Sequence, residues 1–269
     1  MSPAVAIAFP SRVEWFDRVE STNDVVAGWL RDGIPEVCVA AADEQTAGRG
    51  RNGRSWTAPA GAALLCSVGF RPTWLEPDRA WRLAAIVSLA MADAAEAETH
   101  LEAGTIRLKW PNDLVIETDA VRKLAGVLGE TDGLGTADAT AVIGIGVNGA
   151  WRRSDFPPEI ATSMTSLGEA AGGMPIDPHA LLDDFIERLR VRVEELRSGS
   201  FDAQAWSARQ LTNGRPVRLE QPNGQAETVQ ALGVDPETGA LIVAGVTPEA
   251  GPRRVLVGEI RHLRVGGLV

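Results

Sequence analysis

The chain has 269 residues, of which 45% are hydrophobic and 23% are charged, and its formal net charge is -10. This composition is typical of an ordinary globular protein with one large domain, or with a main domain and a small one. The negative charge excludes sequence-independent attraction to a nucleic-acid backbone, which needs many exposed lysines and arginines. The N-terminus carries no secretory signal pattern, and no apolar run reaches the ~18 residues of a membrane span. We therefore expect a cytoplasmic protein without membrane contact.

The first predicted elements alternate between strands and helices. A strand is predicted at residues 13–16, and a capped helix follows Ser21 and ends at Gly33. A buried strand, a polar glycine-rich loop, a second strand and a long alanine-rich helix come next. These four are predicted at residues 37–42, 43–61, 62–70 and 78–98.

Short strands divided by turns occupy the middle of the chain, and helices follow them. The strands are predicted at residues 105–110, 114–117, 123–130 and 140–147, and the helices at residues 178–197 and 201–211. This order predicts an α+β fold in which helices pack on a mixed, mostly antiparallel sheet. From residue 213 the pattern changes to short strands separated by turns, one of them at residues 222–224, which is typical of a small β-barrel. We therefore predict a main domain at residues 1–212 and a C-terminal domain at residues 213–269.

Few residues suit redox chemistry or a metal held by side chains. Cys38 and Cys66 lie in separate apolar runs, which predicts two reduced, buried thiols. The three histidines lie far apart, without the spacing of metal ligands. The sequence therefore gives no case for an imidazole-bound metal.

A loop at residues 48–55 combines three glycines with three arginines. It matches G-x-G-x-x-G and nearly matches a P-loop, but a strand follows it where both motifs need a helix. We therefore reject a dinucleotide site and a P-loop NTPase. Close backbone approach at the glycines, with Arg49, Arg51 and Arg54, favours binding of a carboxylate or phosphate. The alternative is a solvated, mobile surface loop.

Only two lysines occur, Lys109 and Lys123, while arginine supplies all other fixed positive side-chain charge. Both lie in dense polar motifs, Lys109 before Trp-Pro-Asn-Asp and Lys123 before Leu-Ala-Gly. A compact ammonium differs from a planar guanidinium in how it contacts oxygen atoms. The placement of the pair predicts two functional lysines.

Five motifs, in this order and spacing, resemble the biotin protein ligases, also called biotin-[acetyl-CoA-carboxylase] ligases. They are Ser21-Thr22-Asn23, Gln45-Thr46-Ala47-Gly48-Arg49-Gly50-Arg51, Lys109-Trp110-Pro111-Asn112-Asp113-Leu114, Lys123-Leu124-Ala125-Gly126 and Gly144-Ile145-Gly146-Val147-Asn148. The resemblance extends to Ala161-Thr162-Ser163 and to the C-terminal domain. It implies a catalytic fold like that of class II aminoacyl-tRNA synthetases and an SH3-like C-terminal barrel.

The resemblance implies a two-step reaction with biotin, ATP and Mg2+. Biotin and MgATP give biotinyl-5'-AMP and pyrophosphate, and the biotinyl group then passes to a lysine of a biotin carboxyl carrier domain of a biotin-dependent carboxylase. Lys123 resembles the family lysine between the biotin carboxylate and the α-phosphate. Arg49, Arg51 and Asp113 complete the implied catalytic set.

The remaining site residues are also implied by the resemblance. The implied biotin-binding residues are Ser21, Thr22, Asn23, Gln45, Arg49, Gly50, Arg51 and Lys123. The implied ATP-binding residues are Arg51, Arg54, Trp56, Lys109, Asn112, Lys123 and Asn148. Helix capping is the alternative role for Ser21 and Thr22, a core position is the alternative for Trp56, and a turn is the alternative for Asp113. Within the family role, Asp113 either helps to hold Mg2+ or orients the acceptor amine.

Two departures and two remaining alternatives bear on these expectations. Asn52 stands where family members often have a basic residue. The strand predicted at residues 13–16 leaves no room for an N-terminal winged helix, so we expect a ligase that does not bind DNA. The alternatives are a lipoate or octanoate ligase or transferase, and a non-catalytic biotin or adenylate sensor. Family members often pair through the central sheet, which makes a ligand-dependent homodimer a further expectation.

Overall fold

A computed structural model describes residues 8–221, 224–245, 247, 250–256 and 259–262, which form two β-sheets with helices packed on the larger one. The larger sheet contains β1 (Arg12–Val19), β2 (Cys38–Gln45), β3 (Ala63–Phe70), β4 (Ile106–Lys109), β5 (Asp113–Glu117), β6 (Val121–Asp132) and β7 (Thr140–Asn148). Its seven strands lie in the order β1-β2-β3-β7-β6-β5-β4. β1 and β2 are parallel, and all other neighbours are antiparallel. The predicted mixed, mostly antiparallel sheet is confirmed.

Six α-helices lie within the described ranges. They are α1 (Thr22–Arg31), α2 (Trp81–Glu98), α3 (Pro158–Ala161), α4 (Leu167–Ala170), α5 (Pro178–Arg197) and α6 (Ala203–Ala208). The helices predicted before Gly33 and at residues 178–197 are confirmed. α2 begins later than predicted because residues 77–79 form a separate 3-10 turn.

The helix predicted at residues 201–211 is wrong in extent, because α6 covers only six residues. After α6 the chain turns to extend the edge of the sheet instead. Leu108 in β4 accepts a backbone hydrogen bond from Leu211 and donates one to Arg209. The apolar residues that suggested a longer helix therefore cover the free edge of β4, a role that helical spacing does not predict.

The strand β7 faces different neighbours on its two sides, since side chains alternate along a strand. Ile143, Ile145 and Val147 belong to the main hydrophobic core, which includes α2 and α5. Gly144 lies against Asn23 in α1, and Gly146 lies against Trp56. One face of the sheet therefore carries the core, and the opposite face carries α1 and the glycines that make room for polar groups.

The second sheet forms the C-terminal part of the described chain. Its strands are β8 (Pro216–Glu220), β9 (Ala226–Val234), β10 (Leu241–Val243), β11 (Arg253–Val255) and β12 (Glu259–His262), in the order β11-β10-β9-β8-β12. The described pairs are antiparallel. Closure into a barrel and the boundary at residue 213 stay predictions, and the turn predicted at Pro222 and Asn223 lies outside the described residues.

Specific contacts join this sheet to the first one. Trp110 in the β4–β5 turn donates its indole hydrogen to the Gly239 carbonyl at 3.1 Å. Arg215 forms a two-pronged ion pair with Glu117 at the end of β5. These contacts place the second sheet beside β4 and β5.

An ion network holds α2, α5 and the end of α6 together. Arg209 donates to Glu96 at 2.7 and 2.9 Å and also to Asp93, which in turn accepts from Arg192. Glu96, 4% exposed, also accepts the backbone hydrogens of Gly104 and Ile106. A buried carboxylate needs such partners, because desolvation of an unpaired charge is costly.

Cys38 and Cys66 are free and buried, as predicted. Burial raises the pKa of Cys38 to about 11 and that of Cys66 to about 12, so neither thiol is nucleophilic at neutral pH. No described helix combines the length and the apolar surface that a bilayer crossing requires.

We expect Arg209→Ala to lower the free energy of unfolding by about 3 kcal/mol, because it leaves the buried Glu96 carboxylate without its cation, while Asp93 keeps Arg192. Arg190→Ala is the matched control, since Arg190 forms only exposed pairs along α5 with Glu187 and Glu194. It should change the free energy by no more than about 0.5 kcal/mol. Urea unfolding of the two variants measures both values, and equal losses would contradict the role of the network.

Candidate functional site

A cleft of about 1260 Å³ lies on the α1 face of the larger sheet. Among the predicted site residues, only Asn148 does not line it. The lining includes Ser21, Thr22, Asn23, Gln45, Arg49, Gly50, Arg51, Arg54, Trp56, Lys109, Asn112, Asp113 and Lys123. Gly144 and Gly146 of the fifth motif also line the cleft, so the fold brings five separate sequence motifs to one site.

Thr22, Asn23 and Gln45 line one end of the cleft, and Ser67 lies fully buried behind them. We call these four polar residues the hydroxyl end. Gln45 Oε1 accepts the Thr22 backbone hydrogen at 2.8 Å, and Thr22 Oγ1 lies 2.7 Å from Ser67 Oγ. Ser67 donates to Asn23 Oδ1 at 2.6 Å. Sequence analysis missed Ser67, which looks like an ordinary residue of an apolar strand.

The capping alternative for the start of α1 fits the structure only in part. Ser21 occupies the N-cap position, but its hydroxyl makes no capping hydrogen bond. The free backbone hydrogen at Thr22 is satisfied by Gln45, a residue from β2. Both hydroxyls are buried and line the cleft. The Ser-Thr pair therefore contributes polar groups to the cleft.

Three glycines form the floor of the cleft by leaving space for larger side chains. A Cβ at Gly144 would lie 2.2 Å from Asn23 Oδ1, and a Cβ at Gly146 would lie 2.5 Å from Trp56 Nε1. A Cβ at Gly126 would lie 3.0 Å from the same indole. The glycines of β6 and β7 thus make room for the side chains that lie over the sheet.

The glycine-arginine loop forms a small hairpin rather than an extended surface loop. Arg49 pairs with Ser55 in an antiparallel bridge, and Trp56 donates its backbone hydrogen to the Gly48 carbonyl at 2.8 Å. A Cβ at Gly48 would lie 2.4 Å from the Trp56 carbonyl oxygen, so this position requires glycine. Asn52 has a φ of 57°, a left-handed conformation that Asn adopts more readily than most residues.

The three arginines of the loop do not all point to one place. Arg49 forms a two-pronged pair with Asp24 in α1 at 2.8 Å and also contacts Glu130 in β6. The hydrogen bond from Arg49 holds the pKa of Asp24 below its usual value. Arg51 donates to the amide oxygen of Asn112 at 3.3 Å. In this structure Arg49 ties the loop to α1 and Arg51 points toward the β4–β5 turn, while convergence of the three arginines on one anion stays a prediction.

Both lysines of the chain meet at one carboxylate, and we call Lys109, Asp113 and Lys123 the lysine cluster. Lys123 Nζ lies 2.7 Å from Asp113 Oδ1, and Lys109 Nζ lies 3.4 Å from Asp113 Oδ2. Lys109 and Asp113 are directly paired residues of β4 and β5. The cluster carries one net positive charge in a chain with a net charge of -10.

Neighbouring segments fix the position of Lys123. Its backbone donates to the Ser163 carbonyl at 2.8 Å and accepts from Thr165 at 2.9 Å. Its ammonium lies 5.3 Å from the centre of the Trp56 ring, a cation–π contact. Trp56 is therefore a wall of the cleft rather than a core residue, and its indole nitrogen, although buried, has no hydrogen-bond partner.

Asn148 is the exception among the predicted nucleotide contacts. It is 2% exposed, and its side-chain amide donates to the Thr165 carbonyl at 2.9 Å. This bond ties the end of β7 to the same segment that holds the Lys123 backbone. In this structure Asn148 supports the site from behind the wall of the cleft, and its direct contact with the nucleotide stays a prediction.

The cleft continues past the lysine cluster, and we call this further part the open end. Its lining there comes from the end of β5, from the segment around α3 and from the second sheet. These residues include Glu117, Asp119, Glu159, Ile160, Met164, Arg215, Pro216 and Ile260. Apart from the Ala-Thr-Ser motif nearby, no sequence pattern indicated this end, because its residues meet only after both sheets have formed.

The two ends and the cluster between them give the cleft a defined chemistry. The hydroxyl end suits a neutral group with hydrogen-bond donors and acceptors. The lysine cluster, with Arg51 nearby, suits two anionic groups brought close together.

Comparisons with known proteins agree with this arrangement. Residues 15–148 match the biotin/lipoate A/B protein ligase family. The chain is 34% identical over 249 residues to the biotin-[acetyl-CoA-carboxylase] ligase of Mycobacterium tuberculosis, covering 91% of this chain and 86% of that protein. It is 31% identical to the ligase of the same name from Paracoccus denitrificans, covering 85% and 92%. The structure of biotin protein ligase from Aquifex aeolicus in complex with biotin and ATP has a TM-score of 0.75 at 26% identity, covering 94% and 99%.

We expect Gly144→Ala to lower the free energy of unfolding by about 2 kcal/mol, because the new methyl group would force Asn23 from its place. Gly129→Ala on neighbouring β6 is the control, since its Cβ would meet only the flexible end of Ile143 at 3.3 Å. The control should stay within about 0.5 kcal/mol of the wild type. Denaturant unfolding of both variants tests the close packing of Asn23 on β7, which equal stabilities would contradict.

Proposed function

The chain belongs to the biotin-[acetyl-CoA-carboxylase] ligases of the biotin/lipoate A/B protein ligase family, and we propose that its cleft makes biotinyl-5'-AMP and biotinylates a carrier domain. The observation that carries the proposal is the position of the lysine cluster beside the hydroxyl end in one cleft. A ring with N–H and C=O groups fits the first end. Its carboxylate can then reach the ammonium groups.

In the first step, a biotin carboxylate oxygen attacks the α-phosphorus of ATP, and the bond to the pyrophosphate leaving group breaks. The reacting groups are both anionic, so the step needs cations that contact them without blocking the line of attack. We propose that Lys123 contacts both anions as a point charge. Lys109 and Arg51 add positive charge on the side of the β4–β5 turn.

In the second step, a neutral lysine amine of the carrier domain attacks the carbonyl carbon of the mixed anhydride. The new amide bond forms, AMP leaves, and the amine loses a proton. We propose that Asp113 orients the amine, because it is the carboxylate beside Lys123 in the cleft. The same carboxylate keeps the two ammonium groups in place during the first step.

Mg2+ enters this proposal as part of MgATP. Both oxygens of Asp113 already contact ammonium groups, so a metal ion on this carboxylate would lie close to two positive charges. Among the described residues there is also no group of three or more acidic, cysteine or histidine side chains that could hold a metal. These contacts favour the orienting role of Asp113 over its role as a Mg2+ ligand.

The hydroxyl end favours biotin over lipoate or octanoate. A fatty acyl chain offers no donors or acceptors, so it would cover the polar atoms of Ser21, Thr22 and Gln45 that line the cleft without giving them a hydrogen-bond partner. A ureido ring can satisfy them with two N–H groups and one carbonyl. A non-catalytic sensor would have no use for a charge cluster aimed at a reaction centre.

The proposed acceptor is a biotin carboxyl carrier domain, whose lysine would enter at the open end of the cleft. The net charge of -10 supports our prediction that the chain does not bind DNA. A ligand-dependent homodimer and a cytoplasmic location also stay predictions.

Purified protein incubated with biotin, α-labelled ATP and a carrier domain tests the proposed function. We expect AMP and pyrophosphate release that depends on biotin, and a mass increase of the carrier by one biotinyl group. Parallel reactions contain lipoate or octanoate with a lipoyl domain. Turnover with these acids in place of biotin, or binding of biotin without turnover, would contradict the proposal.

We expect Lys123→Arg to slow adenylate formation at least tenfold, about 1.4 kcal/mol in the barrier. Lys123 Nζ lies against Gly126 and Trp56 on one side, so a wider guanidinium cannot occupy the same point. Single-turnover pyrophosphate release measures the rate, and Lys109→Arg gives a comparison within the same cluster with a smaller expected loss. Near wild-type turnover of Lys123→Arg would exclude the assigned role.

A further inference from the structure

The hydroxyl end contains a continuous line of side chains that leads from the cleft to a carboxylate. Gln45 Oε1, Thr22 Oγ1, Ser67 Oγ and Asn23 Oδ1 follow one another at 3.0, 2.7 and 2.6 Å. Asn23 Nδ2 then donates to Glu130 Oε2 at 2.5 Å. Ser67 and Glu130 belong to none of the motifs that carried the family resemblance.

The two ends of this line have fixed hydrogen-bonding roles. Glu130 is a carboxylate paired with Arg49, so it only accepts, and the side chain of Asn23 must turn its NH2 group toward it. The backbone N–H of Thr22 only donates, so Gln45 must turn its oxygen toward that group. Both amide orientations are therefore decided by groups that have a single role.

Three oxygen–oxygen contacts along the line share only two hydroxyl hydrogens. Because Asn23 Oδ1 can only accept, Ser67 donates its hydroxyl hydrogen to that atom. Ser67 Oγ can then accept the hydroxyl hydrogen of Thr22. These are the two shortest contacts, at 2.6 and 2.7 Å. Thr22 Oγ1 can donate its one hydrogen either to Gln45 Oε1 at 3.0 Å or to Ser67 Oγ at 2.7 Å. In the arrangement that gives the hydrogen to the shorter contact, the Thr22–Gln45 contact is left without one.

Two acceptor oxygens that face each other without a hydrogen form a binding place for an N–H donor. We propose that Ser67 and Glu130 are positioning residues that orient the Thr22 hydroxyl, so that Thr22 and Gln45 together accept one ring N–H of biotin. This inference rests on the proposed function. The Glu130 carboxylate sets the direction of hydrogen-bond donation along the whole line, and Ser67 passes that direction on to the Thr22 hydroxyl in the cleft.

Glu130→Gln tests the direction of the line without removing an atom from the core, because the Glu130 side chain is 42% exposed. Arg49 will donate to the oxygen of the new amide at position 130, so the NH2 group of that amide faces Asn23. Asn23 must then turn its own oxygen toward this NH2 group and its own NH2 group toward Ser67. Each hydroxyl hydrogen then points the other way, and the Thr22 hydrogen fills the space between Thr22 and Gln45. We expect biotin affinity to fall about tenfold while the KM for ATP stays within twofold.

Two matched control variants, Asp24→Asn and Ser88→Ala, separate this effect from a general loss of structure. Asp24→Asn loosens Arg49 in the same way but does not touch Asn23, so the loss in Glu130→Gln should exceed its loss at least fivefold. Ser67→Ala interrupts the line and should also weaken biotin binding about tenfold. Ser88→Ala removes an equally buried hydroxyl, bound to the Ala84 carbonyl within α2, and should leave binding unchanged.

Calorimetry with biotin and with derivatives methylated on either ring nitrogen provides the decisive reading. Wild type should lose at least tenfold in affinity for one methylated derivative, and both Glu130→Gln and Ser67→Ala should discriminate less. Wild-type affinity or undiminished discrimination in these variants would overturn the positioning role while leaving the ligase function intact. Wild-type protein that binds no biotin would overturn the proposed function and this inference with it.

Discussion

The contact of both lysines with the Asp113 carboxylate is the constraint on which the site depends. Ammonium groups placed close together repel each other, and the carboxylate between them makes their proximity stable. The pairing of β4 with β5 brings Lys109 next to Asp113, and the pairing of β5 with β6 brings Lys123 there. The sheet therefore concentrates positive charge at one point of an acidic protein.

The same sheet serves the core and the cleft at once. β7 alternates branched apolar side chains on the side of α2 and α5 with glycines on the side of α1. The apolar side chains hold the strand in place by burial, and the glycines let Asn23 and Trp56 lie directly on the backbone. Precision of the site thus follows from the packing on the opposite face.

Charge pairs connect the glycine-arginine loop to this framework. Arg49 bridges Asp24 of α1 and Glu130 of β6, and the second of these carboxylates also holds Asn23. The loop that we expected to collect anions is thereby anchored to the hydroxyl end. One carboxylate, that of Glu130, therefore fixes both the position of the loop and the direction of the hydrogen bonds at the hydroxyl end. The exposed position of Glu130 on a strand does not suggest this importance.

The sequence by itself determined the mixed sheet, the long helices, the buried thiols and the group of candidate site residues that line the cleft. Periodicity and short motifs carry this information, because each depends on neighbours along the chain. Only the tertiary structure decided that the lysines share Asp113, that Asn148 supports the wall, that the chain after α6 covers β4 and that Ser67 and Glu130 join the hydroxyl end. Those outcomes depend on strand order and register, which bring together residues far apart in the chain and which local patterns do not specify.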